Sequence, residues 1–579
     1  MKNKIANIIA NISKIDENII KEKIETPPEK KMWDFSFPTF FLAKELKKNP
    51  TVITWELLKK IQKGNKWVFS KIEQVWPYIN FFIADEYYSN LFKQVLEEKI
   101  EDKNNKDKTI FIDYIWTNVW KPLHIGHMCT PNLGQSIINS YKKLGYNVIS
   151  DSHIWDWGII FWKLIVAYKN FWNEQKLKEN AVEHLFELYV KASELEEKEP
   201  SWKEKYQDAF AKLSNWDEEY ITYWQSFTKE SIKSAQKQLD RLNVKADYNV
   251  WESFYEWLNL SKLEDYPDLI WSMKDIVKEL LEKLIAKKNE DNSVWVIFPE
   301  NLNIPSTILQ KRNWTTGYLA SDLAAIKYRI YNRKPERIIY FVDVRQSLHL
   351  KQVFTISNIA WWTKWTELIH ASNGSIKLED GAMSTRKWKI IKLEYLLDKA
   401  KTKAKKIILE KRPDIQEKEL ENLSETIWIW AIKYEYLRKN RELNITFKWD
   451  EFMTFEWNSS PYIMYTYTRW KSILEKSWID ITKKINILTF EQAEEFELIK
   501  KLWEYKQVIT KTVKEIHPHI LANYVYDLTR LFNSFYANVD VLWEKDKDRK
   551  LSKLALIEKT TDTIKNWFDI LWIKLPTKM

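Results

Sequence analysis

"TIFIDYIWTNVWKPLHIGHM", Thr109 to Met128, decides the fold of this chain. It opens with a β-branched and aromatic run of buried-strand type, "TIFIDYI", and passes into a His-x-Gly-His turn, "HIGH". A helical stretch through "LGQSIINSYKKLGY" follows, then a second strand, "NVISDSHI". The pattern predicts a β-α-β unit whose loop-to-helix turn lies at the carboxyl end of its first strand, where open α/β sheets bind ligands. Phosphate chemistry at a helix start needs backbone N–H groups unobstructed by side chains, and donors for charge developing on phosphoryl oxygens. His124 and His127 are three apart and face one way on the first helical turn, while Gly126 lets a nucleotide lie against the backbone. Taken alone, the turn fits two helix-capping histidines or half a metal site equally well.

Upstream, residues 1–105 read as an amphipathic helix, a Pro-punctuated segment and strand-like "WVFSKIEQVWPYINFFI", an α+β domain closed by the charged linker "EEKIEDKNNKDK". The N-terminus mixes acidic with basic residues and has no small-residue cleavage site, which predicts a helix rather than a signal peptide. Downstream, 106–395 reads as an α/β domain, with a charged helical insertion at about 163–300. "VWVIFPE" and "RIIYFVDV" are expected as further strands of the same sheet. Residues 396–450 read as a helical connection and 451–579 as an all-helical C-terminal domain.

At 579 residues several domains are expected, and no run reaches the roughly 18 apolar residues that a membrane span needs. One cysteine, Cys129, forbids an internal disulfide and fits a reducing cytoplasm; no zinc site is spelled. The net charge of +10 favours a polyanionic partner but equally suits a lysine-rich solvated surface. The odd counts are 32 tryptophans and 8 glycines, since the two together make one ordinary glycine complement of about 7%. Trp116, Trp120, Trp155, Trp388 and Trp457 sit in polar turns where a side chain is unwelcome. We read most of these tryptophans as glycines of the native protein, written as Trp because a codon read as glycine (UGA is the candidate) was translated with another code. The competing reading is a Trp-rich protein whose aromatics pack its cores.

A second polar turn, "EDGAMSTRKWK" at Glu379 to Lys389, carries Ser384, Thr385, Arg386 and Lys387 and could close over a triphosphate; in isolation it is equally a basic surface loop. With "KPLHIGH" in the same chain, the sequence resembles the class I aminoacyl-tRNA synthetases, and specifically the arginyl-tRNA synthetase family. The resemblance spans nearly the whole length, through "DFSFPTFFLAKELKKNP", "SHIWDWGIIFWKLI", "GYLASDLAAIKYR", "VDVRQSLHLKQVF", "FEWNSSPYIMYTYTR", "HPHILANYVYDLTRLFNSFY" and the tail "LWIKLPTKM". Reading Trp as Gly at 33, 155, 162, 388, 457, 567 and 572 improves it each time.

The resemblance implies a Rossmann-type class I catalytic domain between an N-terminal α+β domain that contacts the outer corner of the tRNA and a C-terminal all-α anticodon-binding domain. It implies ATP with Mg2+ as cofactor, L-arginine and tRNA(Arg) as partners, and a cytoplasmic monomer. By carry-over, Lys121, His124 and His127 are catalytic. His124, Gly126, His127, His349, Met383, Ser384 and Lys387 bind ATP. Asp113, Asn118, His124, Tyr318, Asp322 and Gln346 bind arginine, with Asp322 as guanidinium partner; Tyr524, Arg530, Asn533 and Met579 bind tRNA. The chain departs from the class pattern in the second turn, where Ala382 and Arg386 stand at lysine positions; Lys121, three residues before His124, takes the compensating place known in the family. Structural alternatives stay open: Asp113 satisfying a strand end, Tyr318 or His349 in a core, Asp322 paired with Arg329. Two other functions also stay open. One is a different class I synthetase. The other is a catalytically silent tRNA binder, if true indoles at 120 and 388 crowd both turns.

Overall fold

The computed structural model describes residues 2–579 apart from 26–32, 63–64, 66, 76, 119–121, 156–158, 215–216, 257–266, 313, 379–380, 383–390, 450–459, 478–487, 574 and 576–579. The chain divides into two compact units. The first comprises Met1–Lys99, Arg469–Lys506 and Asp527–Ile564. It holds an antiparallel sheet of order β1-β3-β2, with β1 at Phe35–Pro38, β2 at Phe69–Val75 and β3 at Tyr78–Ile83. β3 is the apolar strand of the three, and it takes the central place where both faces are covered. Helices pack on this unit through ring contacts such as Tyr88 on Phe496, centroids 4.2 Å apart, and Trp470 on Phe532, 4.0 Å apart.

The second unit, Ile100–Thr468 with Gln507–Tyr526 and Lys565–Met579, is built on a parallel sheet. Its strands are β4 (Thr109–Asn118), β5 (Asn147–Trp155), β6 (Tyr248–Trp251), β10 (Arg337–Tyr340) and β11 (Glu367–His370), in the order β11-β10-β4-β5-β6. The chain moves from β4 outward through β5 to β6 and then returns to the other flank of β4. The order therefore reverses between β4 and β10, and the crevice beyond their carboxyl ends is the place for a ligand. The helix Cys129–Lys143 covers β4 so closely that a Cβ on Gly134 would stand 2.4 Å from the Tyr114 Cβ.

"RIIY" joins this sheet as expected, but "VWV" does not. Ala286–Lys288 (β7), Val294–Val296 (β8) and Thr307–Gln310 (β9) make a separate antiparallel sheet. The polar turn Asn289–Ser293, closed by Asn289 and Ser293, folds β8 back on its own neighbour before it can reach the parallel sheet. β12 (Ile376–Leu378), β13 (Gly381–Ala382) and β14 (Ile445–Phe447) form a third small sheet in the second unit, the last within a stretch expected to be wholly helical. Of the stretch 163–300 read as a helical insertion, the part up to Arg241 lies in five helices, from Ile159–Phe171 to Glu218–Arg241, with a core of Leu164, Phe186, Tyr206 and Trp224, while β6, β7 and β8 fall in the remainder.

The structure divides the tryptophans. Trp314, Trp361 and Trp572 hold left-handed backbone, at φ +66°, +63° and +56°. Trp361 and Trp572 each stand one residue past a helix C-cap, in the left-handed position that glycine ordinarily takes. The bonds are those of that motif: Trp361 N–H to the Asn358 carbonyl at 3.0 Å and Trp362 N–H to Ser357 at 3.1 Å, then Trp572 N–H to Asp569 at 2.9 Å and Ile573 N–H to Phe568 at 3.1 Å. Trp224, Trp428, Trp430, Trp470 and Trp567 instead fill cores. Trp120, Trp388 and Trp457 lie outside the described residues, as does the side chain of Trp155. No helix among the described residues is long and apolar enough to cross a membrane.

Candidate active site

The signature turn leaves β4 and forms a short 3-10 helix, Ile125–Met128, before the helix Cys129–Lys143 begins. Both histidines shape it. His124 Nδ1 accepts from the Gly126 N–H at 3.1 Å, and His127 Nδ1 accepts from the His124 N–H at 3.1 Å, a reciprocal capping box. With Nδ1 accepting in each ring, the neutral imidazoles carry their proton on Nε2. The rings lie 3.9 Å apart, centroid to centroid. The segment that leaves the second polar turn is stitched to the first, through Ile125 N–H to the Ile391 carbonyl at 3.0 Å and Leu393 N–H to Leu123 at 2.8 Å.

Across the crevice, Asp343 caps the turn Val344–Gln346 after β10, accepting from Arg345 N–H at 2.9 Å, and the helix Ser347–Ile359 follows. Gln346 stands at the N-cap of that helix and makes no side-chain capping bond. His349, one turn in, meets Asp322 Oδ2 at 2.5 Å. Asp322 and Tyr318 are one turn apart on the helix Tyr318–Arg333; Tyr318 is 48% exposed and Asp322 buried. Burial alone would raise the Asp322 carboxyl, but its bond to His349 and the charge of His349 and His153 hold it below the usual carboxylate value.

Behind this pair lies a buried charge cluster. Arg329, without solvent exposure, reaches Asp113 Oδ2 at 2.8 Å, Asp151 at 2.9 Å and the Tyr340 hydroxyl at 2.9 Å. Trp116 Nε1 donates to Asp113 Oδ1 at 2.6 Å. Burial pushes Asp113 and Asp151 upward, Asp151 to about 7, against the pull of Arg329. Arg329 thus pairs the strand carboxylates and leaves Asp322 to the two histidines.

The structure joins His124, Gly126 and His127 in the one turn after β4, pairs Asp322 with His349 one helical turn from Tyr318, sets Gln346 at the N-cap of the helix after β10, and buries Asp113 against Arg329 and Trp116. Asn118 closes β4, its side chain outside the described residues, as are Lys121, Met383, Ser384, Lys387 and Met579. On the helix Pro518–Asn538, Arg530 is exposed and Asn533 half-buried, but Tyr524 is 3% exposed. Its ring belongs to the face of Leu521, Val525 and Leu528, so it offers no surface to a base. His153, Glu252 and Asp151 escaped the sequence reading, and Arg329 entered it only as a partner for Asp322, whereas the structure pairs it with Asp113 and Asp151. The available signal was Asp151 and His153 two apart, on one face of an interior strand of a sheet covered on both sides.

A parallel sheet with its order reversed at a His-x-Gly-His turn, and a second loop tied to that turn, define the nucleotide site of a class I aminoacyl-tRNA synthetase. Residues 91–449 match the family described as class I tRNA synthetases (R), catalytic domain, residues 463–579 the DALR anticodon binding domain, and residues 1–83 the arginyl-tRNA synthetase N-terminal domain. The chain is 36% identical to an arginine–tRNA ligase of Fusobacterium nucleatum over 92% of its length and 90% of that protein's. It is 32% identical to one of Clostridium beijerinckii over the whole of both. Among solved structures it resembles the arginyl-tRNA synthetases of Plasmodium falciparum (TM-score 0.75, 23% identity, 99% of each chain) and Thermus thermophilus (0.74, 20%, all of each). The chain belongs to the arginyl-tRNA synthetase family and is an aminoacyl-tRNA ligase.

Proposed function

We propose that the chain activates L-arginine with magnesium-bound ATP and transfers it to the 3′ end of tRNA(Arg), as a monomer in the cytoplasm. The arginine carboxylate attacks the α-phosphorus, expelling pyrophosphate and leaving arginyl-adenylate. A hydroxyl of the terminal ribose then attacks the carbonyl and AMP departs. Both transition states place added negative charge on oxygen, so catalysis is positioning and electrostatic stabilisation rather than covalent help. His124 and His127 serve that charge at the α-phosphate, Gly126 gives the nucleotide room, and Lys121 supplies the cation that the second turn lacks at Ala382.

The observation that carries the arginine assignment is Asp322, a buried carboxylate at the crevice one turn below exposed Tyr318. A guanidinium takes bidentate partners and keeps its charge when desolvated. Asp322 Oδ2, which His349 holds at 2.5 Å, passes to the guanidinium, and His349 turns to the nucleotide. Asn118 and Gln346 take the α-amino group, and Ser384, Met383 and Lys387 close over the phosphates. Arg530 and Asn533 meet the anticodon arm, with Met579 completing the C-terminal contact.

The test is aminoacylation of tRNA with each of a panel of labelled amino acids and ATP, on the chain as written and with glycine at 120 and 388. Arginine alone should be esterified. Charging with another amino acid, or tRNA binding without charging in both forms, overturns the proposal.

A further inference from the structure

His153 has no part in the chemistry above, yet it sits at the centre of the charge cluster. It lies on β5, 1% exposed, stacked on the Trp116 ring at 4.9 Å between centroids. Neither of its ring nitrogens has a hydrogen-bond partner within reach among the described residues. Its Nε2 instead stands 3.8 Å from Glu252 Oε1 and 3.7 Å from Asp322 Oδ1, at ion-pair distance from two buried carboxylates. A buried imidazole with no hydrogen bond gains nothing from being neutral there, whereas a charged one separates two like charges that would otherwise face each other across its place.

We infer that His153 is a positioning residue for arginine: its imidazolium, wedged between Glu252 and Asp322, keeps both carboxylates ionised and so preserves the anion that a guanidinium must meet. The inference rests on the arginine assignment of Asp322.

The charged groups that act on His153 are Asp151 on its own strand, Asp113 on β4, Glu252 after β6, Asp322 on the Tyr318 helix and His349 on the helix after β10, with Arg329 bonded to Asp113 and Asp151 behind them. Burial on its own would drive the imidazole toward neutrality, but Glu252, Asp322 and Asp113 carry it up to about 9, so it is charged throughout the neutral range. Glu252 is raised by its own burial and held back by His153. Without the cation, the Asp322 charge pushes the already raised Glu252 further up and is itself disfavoured, as neighbouring buried carboxylates are. The pocket then loses part of the charge that distinguishes a guanidinium from a neutral ureido group.

The test compares the wild-type chain, His153→Gln and the double variant His153→Gln/Glu252→Gln, measuring arginine and ATP binding by titration calorimetry and the arginine KM in tRNA charging. For His153→Gln the arginine Kd at pH 7 should rise about tenfold with ATP binding unchanged, and the melting temperature should fall, because two buried carboxylates lose their cation, and recover in the double variant. Competition by citrulline should weaken less than arginine binding does, and the deficit should shrink toward pH 9. The double variant, relieved of one carboxylate, should return to within about threefold of wild type. An unchanged arginine Kd in the single variant overturns the inference, as does a double variant no better than the single one. A parallel loss of ATP binding overturns it too, since that marks a merely structural residue. Wild-type protein that binds no arginine refutes the arginine assignment itself, and the inference with it.

Discussion

Replacing Trp361, Trp572 and Trp314 by glycine should make the protein more stable. An L-residue in the left-handed region costs about 1–2 kcal/mol relative to the right-handed one, and bulky side chains are outliers there. Glycine gives back about 0.5–1 kcal/mol through its freer unfolded chain. The net gain is about 0.5–1 kcal/mol per site, or about 2 kcal/mol for three. Little packing is lost in exchange, because Trp361 is 81% exposed and Trp314 58%. All three lie in the second unit, so the triple variant should shift one transition, by about 4 °C on the scaling for domains of about 200 residues and somewhat less in a larger one. The assay is thermal unfolding followed by circular dichroism at a fixed scan rate, with Trp224→Gly as the contrast. Trp224 has no exposed surface and fills the insertion core, so its loss should cost at least the ~3–5 kcal/mol of a large-to-small core change. A triple variant that melts lower than the parent would refute the reasoning. It would show that the indoles at these turns contribute more than their backbone costs, and the glycine reading would lose its structural support.

Gly134→Ala should destabilise by about 1–3 kcal/mol in the same melting assay, because its new Cβ meets the Tyr114 side chain at 2.4 Å against the central strand. Lys121→Ala should lower the rate of arginyl-adenylate formation far more than Lys387→Ala, read as pyrophosphate exchange with tRNA present; equal small effects would count against the compensating lysine. Arg329→Leu should cost about 3–5 kcal/mol, since it strands Asp113 and Asp151 without their cation. The His349–Asp322 pair gives a pH signature. Against the effect of burial, Asp322 raises His349 above 6.5, so the stabilisation from His349 is complete below 6.5 and is lost as pH climbs through the raised value. Asp322 is lowered from 3.8, so its share is present above 3.8 and is lost only as pH falls through the lowered value. The melting difference between wild type and His349→Gln should therefore be larger at pH 6 than at pH 9, and a difference that grows with pH would sink the assignment of that ion pair.

The part of the fold that sequence reveals is the part that local pattern enforces. β4, the signature turn, its helix and β5 follow one another within about fifty residues, each with the period its structure requires. β6 lies almost a hundred residues beyond β5 and is four residues long. Only pairing with β5 makes it a strand, and that pairing is invisible until the insertion is folded. β8 failed for the opposite reason: its alternation was real, but alternation does not say which sheet a strand joins. The site divides along the same line. Asp322 and Tyr318 were legible because one helical turn relates them, and the two histidines of the signature turn because one short motif contains them. Arg329, Asp151, His153 and Glu252 come from three separate stretches, and their meaning appears only when β4, β5 and the turn after β6 stand side by side with the Tyr318 helix.

That distinction bears on what a binding pocket for a cation has to be. A carboxylate that greets a guanidinium is exposed to the chemistry of its ligand, so family pattern and helical spacing both point to it. The charges that keep it ionised while the pocket is empty are under a different constraint, since they must be buried, mutually close and drawn from several strands. Asp322 has His349 on its outer oxygen Oδ2 and His153 near Oδ1. Under the proposed assignment of Asp322 to arginine, the outer histidine is the one free to leave for a guanidinium, because its side chain is 24% exposed; the inner one, at 1%, is not. An empty pocket that carried no cation would take a proton instead, and arginine would then have to displace it at every turnover. Holding one fixed and one exchangeable imidazole on a single carboxylate lets the pocket stay anionic without staying unpaired.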